Sequence, residues 1–279
     1  MAILLALAAA VVYGVSDYAG GRASRRASPL VVSLVAESSI LVLLLLIVPA
    51  TSASNPTGSD LAWGAAAGAA GAIGIIALYH ALANGAMTVV APITGVVSAV
   101  VPVGVGLAMG ERPSALALVG VAMAIVSVAL IGGLVGVPNV RTPVSLAMVA
   151  LLSGASFGLL FVFYDQPGGD SGMWPLLGAR LASGPILAIM YVASRPHGGI
   201  DRRTALVAVI VGVLGTSANL FYLLAARRGL LTIVAVVVAM YPASTVLLAT
   251  VFDGERMRRP QLIGLAIAGL ALVLVTIGR

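Results

Sequence analysis

Charged side chains are rare in this chain of 279 residues, and four of them stand within or at the ends of long apolar runs. A charge inside a lipid bilayer costs about 2.5–3.5 kcal/mol, so such a residue normally faces a cavity or a partner, where it can bind a proton, an ion or a solute. The candidates for gating or proton coupling are Asp17, Glu37, Asp165 and Arg180.

The depth of these groups in the apolar runs predicts two pairings. Asp17 ends the first run and His80 ends the third near the same face, so a carboxylate and an imidazole could form a proton site or an inner gate, unless each reaches the interface separately. Asp165 and Arg180 lie on the opposite side. We expect them to form an outer ion pair that acts as a structural clasp or as a gate.

Glu37 lies deeper in the second run than Asp17 does in the first, and no cation lies within one helical turn of it. Two interpretations stay open. Glu37 is a proton-coupling carboxylate, or it is a neutral carboxylic acid hydrogen-bonded between helices, because burial disfavours the charged form.

Hydroxyl groups mark two further runs near the middle of the bilayer. In the ninth run, Tyr241 and Ser244 share one stripe beside Pro242, which removes a backbone donor and frees a carbonyl oxygen for a ligand. In the fourth run, Thr94 and Ser98 stand between two prolines. Helices broken in corresponding halves are typical of binding sites in membrane carriers.

An amide and several aromatic residues at matching depth complete the candidates for substrate binding, together with His80. They are Tyr13, Phe157, Phe161, Asn219 and Tyr222. The alternative for every candidate is ordinary helix packing, in which Ser and Thr are common small contacts.

The composition excludes most other chemistry. Hydrophobic residues make up 61% of the chain and charged residues 9%, with a mean hydropathy of +1.14, whereas a soluble domain is about one quarter charged. There is no Cys and there are two His, so we expect no catalytic residue, metal site or cofactor. The sequence has no P-loop and no Gly-x-Ser-x-Gly motif, which argues against ATP-driven transport and against an intramembrane enzyme.

Ten apolar runs, separated by glycine, proline or arginine, each have about the 17–25 residues of a transmembrane helix. Continuous apolar runs favour helices over the alternating segments of a β-barrel. The expected fold class is therefore an all-α membrane protein with ten transmembrane helices. The runs cover residues 2–20, 30–50, 61–83, 86–109, 115–136, 144–164, 173–194, 204–226, 230–252 and 261–278.

The 15 cationic residues are all Arg and are distributed asymmetrically. Ten lie in the loops after odd-numbered runs, four lie in the other loops and at the termini, and Arg180 lies within a run. The positive-inside rule then places the odd-numbered loops in the cytoplasm and both termini outside, in a multi-pass protein of the cytoplasmic (inner) membrane. Short arginine clusters between uncharged runs are typical of membrane loops, so nucleic-acid binding is not expected despite the net charge of +6.

An internal repeat superposes Gly110-Glu111-Arg112 on Gly254-Glu255-Arg256, with no gap from residue 81 to 130. It divides the single transmembrane domain into repeats 1–138 and 143–279. Five runs in each repeat force the second copy to enter the membrane from the opposite side, and such inverted repeats are typical of alternating-access transporters. The Glu-Arg pairs are interpreted as turn and capping elements.

Several segments of the sequence also resemble a known family. GAMTVVAPITGVVSAVVPVGVGLAMGERP, residues 85–113, resembles the fourth span and following loop of the EamA-type carriers of the drug/metabolite transporter superfamily, and residues 228–256 resemble its second copy. Tyr13 to Asp17 resembles the first span, and Trp174-Pro175 with Arg180 resembles the seventh. The resemblance implies two inverted five-helix halves around a central cavity lined mainly by spans one, three, four, six, eight and nine.

Together these features predict a secondary active transporter that moves a small metabolite or drug-like solute by alternating access. Its expected partners are the small-molecule substrate and the lipid bilayer, and its expected assembly is a monomer or a homodimer. The alternative is a membrane scaffold or lipid-handling protein without a solute pathway.

Overall fold

The computed structural model describes residues 1–51, 55–85, 87–131, 143–195, 199–254 and 259–278. These ranges contain helices and short connections and no β-strand. The helices are α1 (Ala2–Ser24), α2 (Pro29–Ser39), α3 (Leu41–Thr51), α4 (Gly58–Asn84), α5 (Met87–Ala108), α6 (Ala115–Ile131), α7 (Val144–Asp165), α8 (Trp174–Ser194), α9 (Arg202–Ala226), α10 (Leu231–Val238), α11 (Pro242–Phe252) and α12 (Arg259–Ile277). A short 3-10 helix, Gly169–Ser171, precedes α8.

Eight helical segments in the described ranges are long and apolar enough to cross a bilayer. Two shorter apolar segments, Ile93–Ala108 and Ala115–Leu130, lie within α5 and α6. All of these segments coincide with the predicted runs. The structure therefore agrees with an all-helical membrane protein.

Two of the predicted runs are interrupted rather than continuous. The second run consists of α2 and α3, separated at Ile40, and the ninth consists of α10 and α11, separated by residues 239–241. The second break has a clear cause, because Pro242 begins α11 and has no N–H to continue α10. The prediction of a matching break in the fourth run is wrong, since α5 continues through Pro102.

The two halves of the chain, described over residues 1–131 and 143–278 with the gaps given above, pack closely against each other. The most extensive contacts join α1 to α9, α6 to α12, and α4 to both α7 and α8. Glycine permits two of the closest crossings: a Cβ at Gly68 would collide with the carbonyl oxygen of Ala179, and a Cβ at Gly212 would collide with that of Ala36. These crossings bring the neighbouring residues Glu37 and Arg180 to the same place between the halves.

The outside of the bundle is apolar. Val42, Leu46, Ile189 and Val192 each expose more than 60% of their surface. An apolar surface of this kind is unfavourable in water and suits contact with lipid chains. The polar groups therefore concentrate in the interior and at the two ends.

Polar side chains cap several helix ends. Thr57 and Asp60 form a reciprocal capping box on α4, and Asp201 accepts the Thr204 backbone N–H at 2.7 Å at the start of α9. The hydrogen bonds from Thr204 lower the pKa of the Asp201 carboxyl. Glu111 caps α10, as its capping interpretation predicted. The second pair, Glu255-Arg256, lies outside the described residues.

Candidate functional site

A cavity lies between the two halves, near the middle of the bundle. Its walls come from α1, α2 and α4 of the first half and from α7, α8, α9 and the residue before α11 in the second. The space up to the wall atoms, including the part open to solvent, is about 730 Å³. Its lining residues are Tyr13, Ser16, Asp17, Ala36, Glu37, Gly68, Gly71, Ile75, Tyr79, Phe157, Leu160, Phe161, Tyr164, Ala179, Arg180, Val211, Gly212, Gly215, Asn219 and Tyr241.

The set of walls differs from the one that the family resemblance implied. Helices α2 and α8 contribute through Glu37 and Arg180, whereas α5, the fourth span, contributes no lining residue among those the structure describes. The cause is the packing of α5 against α7, which turns its polar residues toward other helices.

The face of α1 toward the cavity carries Tyr13 and Asp17, which lie one helical turn apart. The Tyr13 hydroxyl donates a hydrogen bond to Oδ1 of Asn219 on α9. Ser16 donates to the backbone oxygen of Val211, also on α9, at 3.2 Å. Two polar contacts thus tie the first-half helix α1 to the second half at the cavity wall.

Asp17 is 5% exposed and faces the cavity. In the described part of the chain it has no hydrogen-bond or ion-pair partner. It interacts electrostatically with Tyr13, Tyr79 and Tyr241. A carboxylate that is buried against a cavity and has no cation beside it can receive a proton or a positively charged group.

Glu37 and Arg180 form an ion pair in the cavity wall. Ser183 donates to the same Glu37 oxygen at 2.8 Å, and Arg180 also donates to Thr216 Oγ1 at 2.8 Å. The pair therefore connects α2 of the first half to α8 and α9 of the second.

The predicted Asp165–Arg180 pair is wrong. Asp165 ends α7 and does not line the cavity, and the charge that acts on it is that of Glu111. Arg180 instead reaches Glu37 because the close α2–α9 and α4–α8 crossings bring α2 and α8 together. A sequence search for cations within one helical turn of Glu37 could not detect this partner from the other half.

Aromatic rings form a large share of the cavity wall. The Tyr13 ring lies 6.2 Å from the Phe161 ring and 6.3 Å from the Tyr241 ring. Phe157 lines the same space. Tyr222 stacks behind Phe161 at 4.6 Å and does not reach the cavity, because its hydroxyl donates to the Phe161 backbone oxygen at 2.8 Å. Tyr222 therefore supports the wall instead of forming it.

The predicted hydroxyl stripes do not reach the cavity either. Thr94 donates to the Ala150 backbone at 3.3 Å, and Ser98 donates to Gly95 within its own helix at 3.0 Å. Ser244 packs against Gly14. These hydroxyls take part in helix packing, which was the alternative interpretation for small polar residues. Of the stripe that contains Tyr241 and Ser244, Tyr241 lines the cavity.

The predicted position of His80 beside Asp17 at the cavity is also wrong. It is exposed on the outer surface in an apolar groove with Leu152 and Met190, while Asp17 faces inward. The residue beside Asp17 is Tyr79, whose ring covers Gly20 of α1. One position along a helix is a rotation of about 100°, and this rotation separates the cavity from the lipid-facing surface.

Tyr79 and Tyr164 are lining residues that the sequence analysis missed. A detectable signal exists for both. Tyr79 follows Gly68, Gly71 and Ile75 on one helical stripe of α4, and Tyr164 follows Phe157 and Phe161 on one stripe of α7. The prediction selected the titratable neighbours His80 and Asp165 instead, because titratable residues within apolar runs were the first criterion and the helical stripe was not considered.

Two polar contacts join the halves at opposite ends of the span formed by α10 and α11. At its beginning, Glu111 of the first half accepts the backbone N–H groups of Leu231 and Thr232 at 2.5 and 2.8 Å. At its end, Asp253 binds Arg22 at 3.1 Å. We call these the Glu111 contact and the Arg22 contact.

Tyr18 reinforces the Arg22 contact. Its hydroxyl donates to Asp253 at 3.1 Å and accepts from Arg22 at 2.9 Å. The two contacts lie about 30 Å apart along a span of 22 residues. The cavity lies between them along this span, since Tyr241, between α10 and α11, is one of its lining residues.

The described residues contain no group of three or more His, Cys, Asp or Glu side chains placed to hold a metal ion. The chemistry of the cavity is therefore that of two carboxylates, one guanidinium, an amide and several aromatic rings. Such a set is suited to binding a solute by charge and stacking.

Comparison with known proteins gives a family and a fold. A family model described as the EamA-like transporter family matches residues 1–133 and again residues 144–277. The chain is similar to a solved crystal structure of a protein, with 17% identity, a TM-score of 0.74, and coverage of 99% of this chain and 96% of the other. A comparison with curated proteins gives no match.

Proposed function

Because this chain belongs to the EamA-like transporter family, we propose that it is a secondary transporter that moves a small organic solute across the cytoplasmic membrane by alternating access. The observation that carries the proposal is the central cavity, whose polar and aromatic walls come from both halves of the chain. A solute held there contacts both halves, so it can be released to either side when one half moves against the other.

The positions of the Glu111 and Arg22 contacts support a rocking motion. Each contact joins the first half to the same span of the second half, one at each end. Opening the cavity to one side breaks the contact at that end and leaves the other as a pivot. Both contacts are polar and partly exposed, so each contributes a modest free energy that solute binding can offset.

The energy for uphill transport must come from a gradient, since the sequence has no nucleotide-binding loop. Asp17 and Glu37 are the carboxylates in the cavity wall. We propose Asp17 as the proton-coupling group, because Glu37 is already neutralised by Arg180.

The proposal is tested by solute counterflow in proteoliposomes. The solute is first selected by thermal-shift screening of amino acids, nucleosides, sugars and organic cations, since a ligand that binds the folded state raises its stability. We expect the selected solute to accumulate in the proteoliposomes. Asn219→Ala should reduce the exchange rate by about tenfold, or about 1.4 kcal/mol, because the Tyr13 hydroxyl loses its hydrogen-bond acceptor in the cavity wall.

Ser217→Ala is the matched control on the same helix, since the Ser217 hydroxyl binds only the Val213 backbone at 2.9 Å and does not line the cavity. The control should exchange solute at the wild-type rate. A folded protein that exchanges no member of the panel, with no difference between the two variants, would favour a scaffold or lipid-handling protein instead.

A further inference from the structure

We infer that the central cavity binds a small organic cation, an alkylammonium group, with Asp17 as its counter-charge and aromatic rings as its walls. The inference rests on the proposed function and names the class of solute. It follows from the charges in the cavity, from the rings around Asp17 and from the lack of a free cation among the described lining residues.

The charges of the cavity do not balance in the described part of the chain. Arg180 is held by Glu37 and by Thr216, so the guanidinium and one carboxylate neutralise each other. The Asp17 carboxylate has no such partner, although only 5% of the residue is exposed. An unpaired carboxylate in a bilayer is unfavourable, and a bound cation removes that cost.

The same arrangement disfavours an anionic solute. Arg180 is the cation of the cavity wall, and an anion would have to displace Glu37 from it. The anion would also enter a space that contains the Asp17 carboxylate. Both steps oppose binding, so the cavity selects positive charge.

The rings specify what kind of cation fits. Tyr13, Tyr79, Phe157, Phe161, Tyr164 and Tyr241 all line the cavity, in a chain in which aromatic residues make up 5%. Ring faces attract a cation by about 0.5–2 kcal/mol each, most strongly when water is excluded. Alkylated ammonium groups suit such walls because they are weakly hydrated and need few hydrogen-bond acceptors.

The polar groups near Asp17 point to the same class. The Tyr13 hydroxyl is engaged with Asn219, and the Ser16 hydroxyl is engaged with Val211. Both hydroxyls thus have their donor hydrogens occupied and keep oxygen lone pairs, which suit a positively charged group better than an anion. The ammonium head is placed beside Asp17, with Tyr79 and Tyr241 close to the same carboxylate.

The test uses the full chain, purified in detergent, with choline and tetramethylammonium as probes. The control ligand is the neutral isostere of choline, in which a tert-butyl group replaces the trimethylammonium group. We measure binding by equilibrium dialysis and by the shift of the unfolding temperature. We expect the cations to bind and stabilise the protein, and the neutral isostere to do neither.

Three variants separate charge from folding. Asp17→Asn should weaken cation binding by about tenfold or more, a loss of about 1.4 kcal/mol, while Asp17→Glu should retain part of it. Asp170→Asn makes the same carboxylate-to-amide substitution at an exposed position, and this variant should bind the cations as tightly as the wild type does. Size-exclusion profiles and unfolding temperatures without ligand identify a variant that has failed to fold. If Asp17→Asn fails to fold, Tyr241→Leu is used in its place, and it should also weaken cation binding.

The outcomes distinguish this inference from the proposed function. Asp17-dependent cation binding without counterflow would support the cation site and overturn the transporter. Counterflow of a neutral or anionic solute, with no cation binding to a folded protein, would support the transporter and overturn the cation site. Equal binding of choline and its neutral isostere would also overturn it.

Discussion

Two carboxylates in one cavity wall have different surroundings. Glu37 faces Arg180 and Ser183, so its negative charge is balanced at every pH at which Arg180 stays charged. Among the described residues Asp17 has no ion-pair partner, and it interacts with Tyr13, Tyr79 and Tyr241 on α1, on α4 and before α11. A proton and a solute cation therefore compete at Asp17 and not at Glu37.

This competition predicts the pH dependence of uptake. As pH rises, Asp17 loses its proton and becomes free for the cation, so initial uptake rates in wild-type proteoliposomes should increase. Asp17→Asn should abolish the dependence, and Glu37→Gln should lower the rate at every pH without moving the midpoint of the profile. Persistence of the wild-type profile in both variants would mean that neither carboxylate couples protons.

The sequence predicted which charges matter better than it predicted their partners. The cost of charge in lipid was enough to select Asp17, Glu37 and Arg180, and all three line the cavity. Their partners depend on helix rotation and on crossings between the halves, which no local spacing encodes. For the same reason His80 was selected in place of Tyr79.

At the scale of helices, close crossings at glycine determine the shape of the site. Gly68 contacts the backbone of Ala179 directly before Arg180. We expect Gly68→Ala to force α4 and α8 apart, to cost about 1–3 kcal/mol through overpacking, and to weaken ligand binding. The thermal unfolding of the purified variant measures the first effect.

Gly184→Ala is the matched control within α8, because a Cβ at Gly184 meets no atom within 4 Å. It should keep the wild-type unfolding temperature or raise it, since Ala favours the helix over Gly. Equal stability of the two variants would show that the α4–α8 crossing can relax without cost.

Apolar runs predicted the helical segments well, because length and hydropathy are properties of the sequence itself. Breaks within a run were harder to predict. Pro242 marks one of them, but the break at Ile40 carries no proline or glycine, and α5 continues through Pro102. Whether a helix breaks at a given residue depends on the helices packed against it, and the apolar run alone does not reveal those contacts.

For the molecule as a whole, the two end contacts predict opposite effects of two substitutions. Asp253→Asn weakens the Arg22 contact and should favour opening at that end, whereas Glu111→Gln weakens the Glu111 contact and should favour opening at the other. Because the chain has no cysteine, a single Gly215→Cys reports cavity access without a background. A Cβ there meets only Ser16 Oγ, at 3.7 Å.

Labelling of Gly215→Cys with an impermeant maleimide, applied from each side of reconstituted vesicles, measures the access. Gly199→Cys, in an exposed loop at the Arg22 end, marks the orientation. We expect several-fold faster labelling from the Arg22 side in Asp253→Asn and from the other side in Glu111→Gln. Faster labelling from the same side in both variants would contradict alternating access.

The internal repeat allowed the two halves to be predicted, since the Gly-Glu-Arg triplet recurs at a fixed distance in the chain. The way in which the halves interlock could not be predicted, because the α1–α9 and α6–α12 contacts join residues that are far apart in sequence. Glu111 illustrates the difference: its capping role followed from its type, but the helix it caps belongs to the other half.

This interlocking has a consequence for how the protein is made. Helix α1 meets its principal partner only after α9 has left the ribosome, and α6 meets its own only after α12 has been made. During insertion the first five spans therefore stand in the lipid with their future interfaces uncovered. A nascent chain interrupted before α12 leaves α6 without its main neighbour, so the face of α6 that α12 covers in the folded protein stays exposed to lipid.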